Sequence, residues 1–269
     1  MAQQQNLARA FVGGVMTAWC LGILPPCAPV HAGDAVPVET AAAAFKPYFL
    51  ERISHCIAVV KHMGERVAAR DLPGAQQSWL AARSSWEESE VITNEFFPDL
   101  DRKIDAWPDA ERGFHAIEAK LFGAHDVQVM PATEELINDL TEFERQLRAT
   151  TLTAQGLLNG TAKLIYEIGE NKAQGGESPF SGNSLAEMRV NVASLAAAYE
   201  QAFAPVIKKR NIGLGRVFSK DMAVMQALVA APTLQDLDQV QLRDASESLV
   251  NDLAMVGKEA GLQRPNLGN

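Results

Sequence analysis

Apolar side chains recur at helical spacing along nearly the whole chain, and no stretch alternates apolar with polar residues long enough to make a useful strand. Ala75, Trp79, Ala82 and Trp86 stand four, three and four residues apart, one stripe on a helix that starts near Asp71 and Pro73. Leu136, Leu140, Phe143 and Leu147 make a second stripe, opened by Thr133 with Glu134 and Glu135 in its first turn. Ser184, with Glu187 three residues on, reads as a capping box. The helix it opens runs through Val190, Leu195, Ala198 and Phe203 towards Pro205. Leu242, Ala245, Leu249, Leu253 and Val256 mark a last helix that closes near Gly257 or Gly261. The fold class predicted is all-α.

Three stretches interrupt this pattern: Phe96 to Pro108, Gly123 to Pro131, and Gln174 to Asn183. The third lies between two helix-rich halves and is long enough to be a functional loop. The simplest architecture is two packed, four-helix-bundle-like halves that share an interface, within one domain spanning 33–269. No internal repeat of solenoid length is present.

The first 32 residues differ from the rest, with Arg9 their only charged side chain. An apolar run from Ala10 to Leu24 ends at Pro25 and Pro26, and small residues precede a cut between Ala32 and Gly33. That layout predicts a cleavable secretory signal peptide over 1–32; the run is short for a membrane anchor, the alternative reading. Cleavage removes Cys20 and Cys27 and leaves Cys56, so the exported chain has no internal disulfide and Cys56 belongs in the core. The formal charge of −9 repels phosphate backbones and argues against nucleic acid as a partner. No basic amphipathic run suggests a membrane-surface helix.

Chemistry concentrates around His115. It lies in ERGFHAIE with Glu118 at i+3, which puts the two β-carbons ~5–6 Å apart on one helix face. An imidazole and a carboxylate so placed can chelate a cation, though two ligands do not complete a site. Upstream, Glu87, Glu88 and Glu90 follow Trp86. Glu90, at i+4 from Trp86, turns towards the core, whereas Glu87 and Glu88 lean to solvent. An aspartate-rich turn carrying Asp99, Asp101 and Asp105 separates that helix from His115. Two antiparallel helices joined by it would bring Glu90 and Asp105 to His115 and Glu118. Three carboxylates and one imidazole suit iron or zinc and suit a cuprous ion poorly. His55 and His62 share a face of the first helix without a carboxylate to complete a site, and read as structural or surface residues. No metalloprotease HExxH pair, phosphate loop or nucleophile elbow is present.

At these residues the chain resembles the imelysin-like family, first catalogued as metallopeptidases and including the helical domain of EfeO-type periplasmic iron-uptake proteins. The likeness runs from about Ala41 to Leu262. Trp79 to Glu90 (WLAARSSWEESE) is similar to the family's aromatic-Glu-x-x-Glu helix, and Leu100 to Asp105 resembles its L-D-x-x-I-D turn. Gly113 to Glu118 carries the G-x-H-x-x-E signature, followed by Leu121-Phe122-Gly123. Leu157-Leu158 through Lys172, then Glu177, Phe180 and Ser181, resemble the central loop, and Asn191 falls where the next helix carries an asparagine. The resemblance implies a periplasmic metal-binding protein with two helical bundles and His115, Glu118, Glu90 and Asp105 as metal ligands. Glu177 is a weaker extra candidate.

The chain departs from the EfeO-type pattern at two points. Only about ten residues separate the expected cleavage site from the first helix, where those proteins usually carry a cupredoxin-like domain, so the shorter single-domain forms are the better comparison. The loop reads Ser181-Gly182-Asn183-Ser184 where iron-uptake members often read S-H-T-D.

The leading expectation is therefore a periplasmic protein that captures a divalent or ferric metal ion, iron before zinc, and supports uptake through a partner such as an inner-membrane iron permease. Arg112 or Arg83 would orient the ligands. One rival is a zinc metallopeptidase with Glu90 or Glu87 as general base. Another is a carrier of an acidic polysaccharide, for which Lys208, Lys209 and Arg210 form the one basic cluster.

Overall fold

The computed structural model describes residues 37–105, 111–175 and 177–268. The expected signal peptide lies outside the described residues, as do Trp107 and Pro108.

The first helix, α1 (Val38–Ala68), buries Phe45, Phe49, Ile53, Cys56, Val60 and Met63, at steps of three and four that keep them on one stripe. Asp71 then accepts the Gly74 amide at 3.0 Å and opens α2 (Leu72–Glu87), with Pro73 in the first turn, where its missing N–H is not needed. Ala75, Trp79, Ala82 and Trp86 are all buried on α2, as the spacing predicts. The helix loses phase at Glu88 and Ser89, where the Ser89 amide donates to the Trp86 carbonyl, only three residues back, at 2.7 Å. Two short helices follow, α3 (Glu90–Phe96) and α4 (Pro98–Ile104). The stretch expected to be irregular is thus partly helical, because Pro98 falls in a first turn and starts α4.

Next comes α5 (Gly113–Glu118), which passes into a π-helical turn, Ala119–Gly123, and stops at Gly123 as expected. The following helix, α6 (Met130–Ala149), begins earlier than Thr133, since Pro131 occupies its first turn. Thr133 lies buried within it, its hydroxyl donating to the Val129 carbonyl at 3.0 Å. Thr153 caps α7 (Ala154–Glu170) by accepting the Gly156 amide. Beyond the central loop, α8 (Ser184–Ala198) runs through a second π turn, Tyr199–Phe203, into α9 (Ala204–Arg210). Asn211 caps α10 (Ile212–Val229), and Asp238 caps α11 (Gln239–Ala260), which closes at Gly261 with φ +82°.

One set of helices forms around α1, which packs on α2 and α6; α5 packs on α6. The other comprises α7, α8, α10 and α11. The sets meet where α1 packs on α7 and α2 on α8, and their buried apolar residues join in one cluster from Ala42 to Val256. Among the described residues there is no strand, and no helix is long and apolar enough to cross a membrane. At one crossing, α3 meets α7 so closely that a Cβ on Gly160 would lie 2.0 Å from the Val91 carbonyl oxygen. Only glycine permits that approach, which brings the start of α3, with Glu90, against α7.

Candidate metal centre

A buried guanidinium organises the interior. Arg83 falls four residues after Trp79, on the apolar side of α2, and is fully buried. A charge there requires partners. Its Nη1 lies 2.6 Å from Asp105 Oδ1 and its Nη2 2.5 Å from Glu87 Oε1, with Glu187 and Glu177 at 3.5 and 3.6 Å. The Trp86 indole donates to the other Asp105 oxygen at 2.8 Å. Burial alone would raise the Asp105 carboxyl, but Arg83 and His115 outweigh it and hold the group well below the usual carboxylate range.

His115 stands between two carboxylates. Its Nε2 is 3.0 Å from Asp105 Oδ1, and its Nδ1 is 3.4 Å from Glu118 Oε2. Burial disfavours the imidazolium, yet the bonds to Asp105 and Glu118 prevail and push the ring up to about 9. Glu118 Oε1 in turn accepts from the Ser181 amide at 2.9 Å and the Ser181 hydroxyl at 2.7 Å. The signature pair therefore links Asp105 on one side to the central loop on the other.

Beside this chain lies a knot of four carboxylates. Glu87, Glu90, Asp105 and Glu177 each offer an oxygen, and the four oxygens lie within 4.8 Å of one another. The ammonium of Lys172 is set among them, 2.6 Å from Glu90, 2.9 Å from Glu177 and 3.0 Å from Glu87. The Asn191 amide donates to Glu87 Oε2 at 2.8 Å and to Glu90 Oε2 at 2.9 Å, and reaches the Glu87 carbonyl at 3.0 Å. With the Ser194 hydroxyl on the Glu88 carbonyl, it satisfies backbone groups freed where α2 ends. Burial raises Glu87, but Arg83 and Lys172 win and lower it, whereas burial and the Glu87 charge push Glu90 well up. Burial raises Glu177 to about 8.

This knot forms one wall of a cavity of about 390 Å³. Glu90, Asp101, Asp105, Glu167 and Glu177 line it, against the ammonium groups of Lys163 and Lys172. Burial pushes the Asp101 carboxyl up to about 7. A cavity with such an excess of oxygen donors favours a small cation and disfavours anions.

Of the four residues expected as metal ligands, Glu90 and Asp105 sit in the carboxylate knot. His115 touches that knot through Asp105, and Glu118 lies one contact further away, while Glu177 from the central loop joins the knot directly. Glu87 departs from expectation. It is fully buried rather than leaning to solvent, because Arg83 one turn earlier draws it inward. The Arg83–Glu87 spacing inside a tryptophan stripe was the available signal. Nothing local to Lys172 foretold its burial. Arg112 lies elsewhere, paired with Asp139 and, at 3.1 Å, with Glu135.

Ser184 does not cap α8, whose N-cap is Asn183. Its hydroxyl instead accepts the Ser178 amide at 3.1 Å and donates to the Gly175 carbonyl at 3.3 Å, pinning the loop that delivers Glu177. Glu187 turns to Ser178 and Asn183, at 2.7 and 3.0 Å. Cys56 is a buried core thiol, raised by burial, and His55 and His62 are exposed on α1.

Fold and site together define a class: an all-helical protein whose interior gathers carboxylates, held by buried cations, at the wall of an acidic cavity. The chain belongs to the imelysin family, whose sequence profile (peptidase M75) matches residues 57–258. It is 26% identical over 259 residues to the iron uptake system component EfeO of Yersinia pseudotuberculosis serotype I (strain IP32953), covering 87% of this chain and 69% of that one. It is 24% identical over 239 residues to the iron uptake system component EfeM of Pseudomonas syringae pv. syringae (strain B728a), covering 83% of each. A crystal structure from Parabacteroides distasonis ATCC 8503, of a protein described as an iron-regulated protein A precursor, shares the fold. Its TM-score is 0.67 at 18% identity, over 84% of this chain and 95% of that one.

Proposed function

We propose that this protein captures an iron-class cation at the carboxylate knot and supports iron uptake as an exported, periplasmic component that hands the ion to a membrane partner. The observation that carries the reading is the set of four carboxylate oxygens within 4.8 Å of one another on the wall of an acidic cavity. Glu90, Asp105, His115 and Glu118 are the proposed binding residues. Glu90 and Asp105 supply oxygen directly with Glu177 and Glu87, and His115 and Glu118 act through Asp105. An oxygen-rich set favours a hard ion over zinc, which prefers nitrogen and sulfur ligands. The names of the EfeO and EfeM relatives support iron as the cargo.

The rivals find less support. A peptidase needs a carboxylate base apart from the metal ligands, and both candidates, Glu87 and Glu90, belong to the proposed ligand set. For a polysaccharide carrier, the basic cluster is only the last turn of α9, where Lys208 pairs with Glu200 at 2.9 Å and Arg210 donates to the Glu259 carbonyl at 2.6 Å.

Titration of the metal-free protein with iron and with zinc, beside Glu90→Gln/Glu177→Gln and His115→Ala/Glu118→Ala variants, tests the proposal. Stoichiometric iron binding that the first variant loses while keeping its helical circular dichroism is the expected outcome. Wild-type binding no stronger than that variant's would end the metal reading.

A further inference from the structure

We infer that Lys172 is a resident counter-cation, which fills the carboxylate knot in the empty protein and has to withdraw before a metal ion can bind there. This rests on the proposed function and adds the residue that sets affinity and selectivity at that site.

The Lys172 ammonium stands where a metal ion held by the glutamates of the knot would stand. A hard metal ion held by Glu87, Glu90 and Glu177 would sit ~2–2.6 Å from each oxygen. Lys172 Nζ already lies 2.6 to 3.0 Å from oxygens of those same three residues. Ammonium and ion cannot share that point. Arg83 shares Glu87 and Glu177 with Lys172, at 2.5 and 3.6 Å, and also holds Asp105, but Lys172 lies within 3.0 Å of Glu87, Glu90 and Glu177 together. Lys172 is 1% exposed, so it is held there by the knot and not by solvent.

The arrangement also has an exit. Lys172 lines the cavity of about 390 Å³, which is also lined by Asp101 and Glu167, two further carboxylates that can receive an ammonium. Its side chain springs from the short 3₁₀ turn Lys172–Gln174, outside the rigid body of α7. The resident charge would do two things. It stabilises three crowded carboxylates while no ion is bound, and it sets a threshold that favours ions of higher charge. A monovalent ion gains no more from the knot than the ammonium does, while a divalent or trivalent ion gains a multiple of it.

Manganese(II), a soluble ion that prefers oxygen ligands, is the probe. Free ion is read by electron paramagnetic resonance for the wild type, Lys172→Met and Glu90→Gln/Glu177→Gln. Lys172→Met should bind manganese about tenfold or more tighter than the wild type, and sodium should compete measurably only in that variant. The wild type gives a second readout independent of the variant's folding. Acetylation of Lys172 by an amine-reactive ester, followed by mass spectrometry, should rise as manganese saturates the protein. Saturable wild-type binding that the glutamine variant loses, with Lys172 still protected at saturation, overturns this inference and leaves the metal site standing. The inference also fails if Lys172→Met folds and binds no tighter. Absence of binding in the wild type and in folded Lys172→Met removes both. Binding in Lys172→Met alone also overturns the inference, since it would show an ammonium that blocks the knot and does not withdraw.

Discussion

One oxygen of Asp105 lies 3.0 Å from the Nε2 of His115, and this pair joins the signature helix α5 to the carboxylate knot that α2 and α3 present. Each group keeps the other ionised. Arg83 and then the imidazolium hold the carboxylate down, and Asp105 with Glu118 holds the ring up to about 9, above the 6.5 of a free histidine. A histidine whose folded value is raised stabilises the protein fully below 6.5, and that contribution disappears as pH rises through about 9. Melting temperature should therefore fall between neutral pH and pH ~10, by an amount on the order of 3 kcal/mol in stability. His115→Gln should flatten that decline, and the His115 ring resonances should titrate near 9 in nuclear magnetic resonance spectra.

Arg83 is the interior charge on which most carboxylates depend. Arg83→Met leaves Asp105, Glu87 and Glu187 without their buried partner, and removing one side of such a network costs about 3–5 kcal/mol. Arg83→Lys should recover only part of this, because an ammonium lacks the planar fork that presents separate nitrogens to Asp105 and Glu87. Urea denaturation of the three proteins measures the difference. Equal stability in all three would show that the network contributes nothing net.

Gly113 opens α5 at φ +75°, and a Cβ there would lie 2.4 Å from the Ile104 carbonyl oxygen. Gly113→Ala meets both a left-handed backbone and a clash with main chain. A loss of at least ~1–3 kcal/mol is expected. Because Ile104 immediately precedes Asp105, the same change should shift the titration of His115. Thermal denaturation and the His115 resonances read the two effects separately.

The cavity carboxylates predict how cation capture depends on pH. Asp101 and Glu177 are raised by burial to about 7 and about 8, so both carry protons part of the time at neutral pH in the empty protein. Metal binding needs the ionised forms. Affinity should rise from pH 6 through about 8, with protons released on binding. Calorimetry in buffers of different ionisation enthalpy counts those protons, and a pH-independent heat and affinity would contradict the assignment.

Local order in this protein is legible in its residues. The stripe from Ala75 to Trp86 predicts the buried face of α2, Asp71 predicts its start, and Gly123 predicts the end of the signature segment. His115 and Glu118 meet as their i, i+3 spacing requires, at 3.4 Å. These outcomes depend on helix geometry and on caps a few residues away, which a short window contains. The predicted starts of α6 and α8 missed by one to three positions: α6 opens at Met130 with Pro131 in its first turn, and Ser184 lies one residue inside α8, behind Asn183.

The charged interior belongs to tertiary structure. Glu87 ends α2 and Glu90 opens α3, so each is placed by a different element. Lys172 reaches them from 82 and 85 residues away, and Asn191 from 101 and 104. Whether a lysine or an acid is buried depends on the charges that arrive opposite it, since desolvation forbids burial without them. Helical periodicity and capping were decided by neighbours along the chain, whereas the ionised interior was decided by helix packing, because only packing brings opposite charges from distant segments within ion-pair distance.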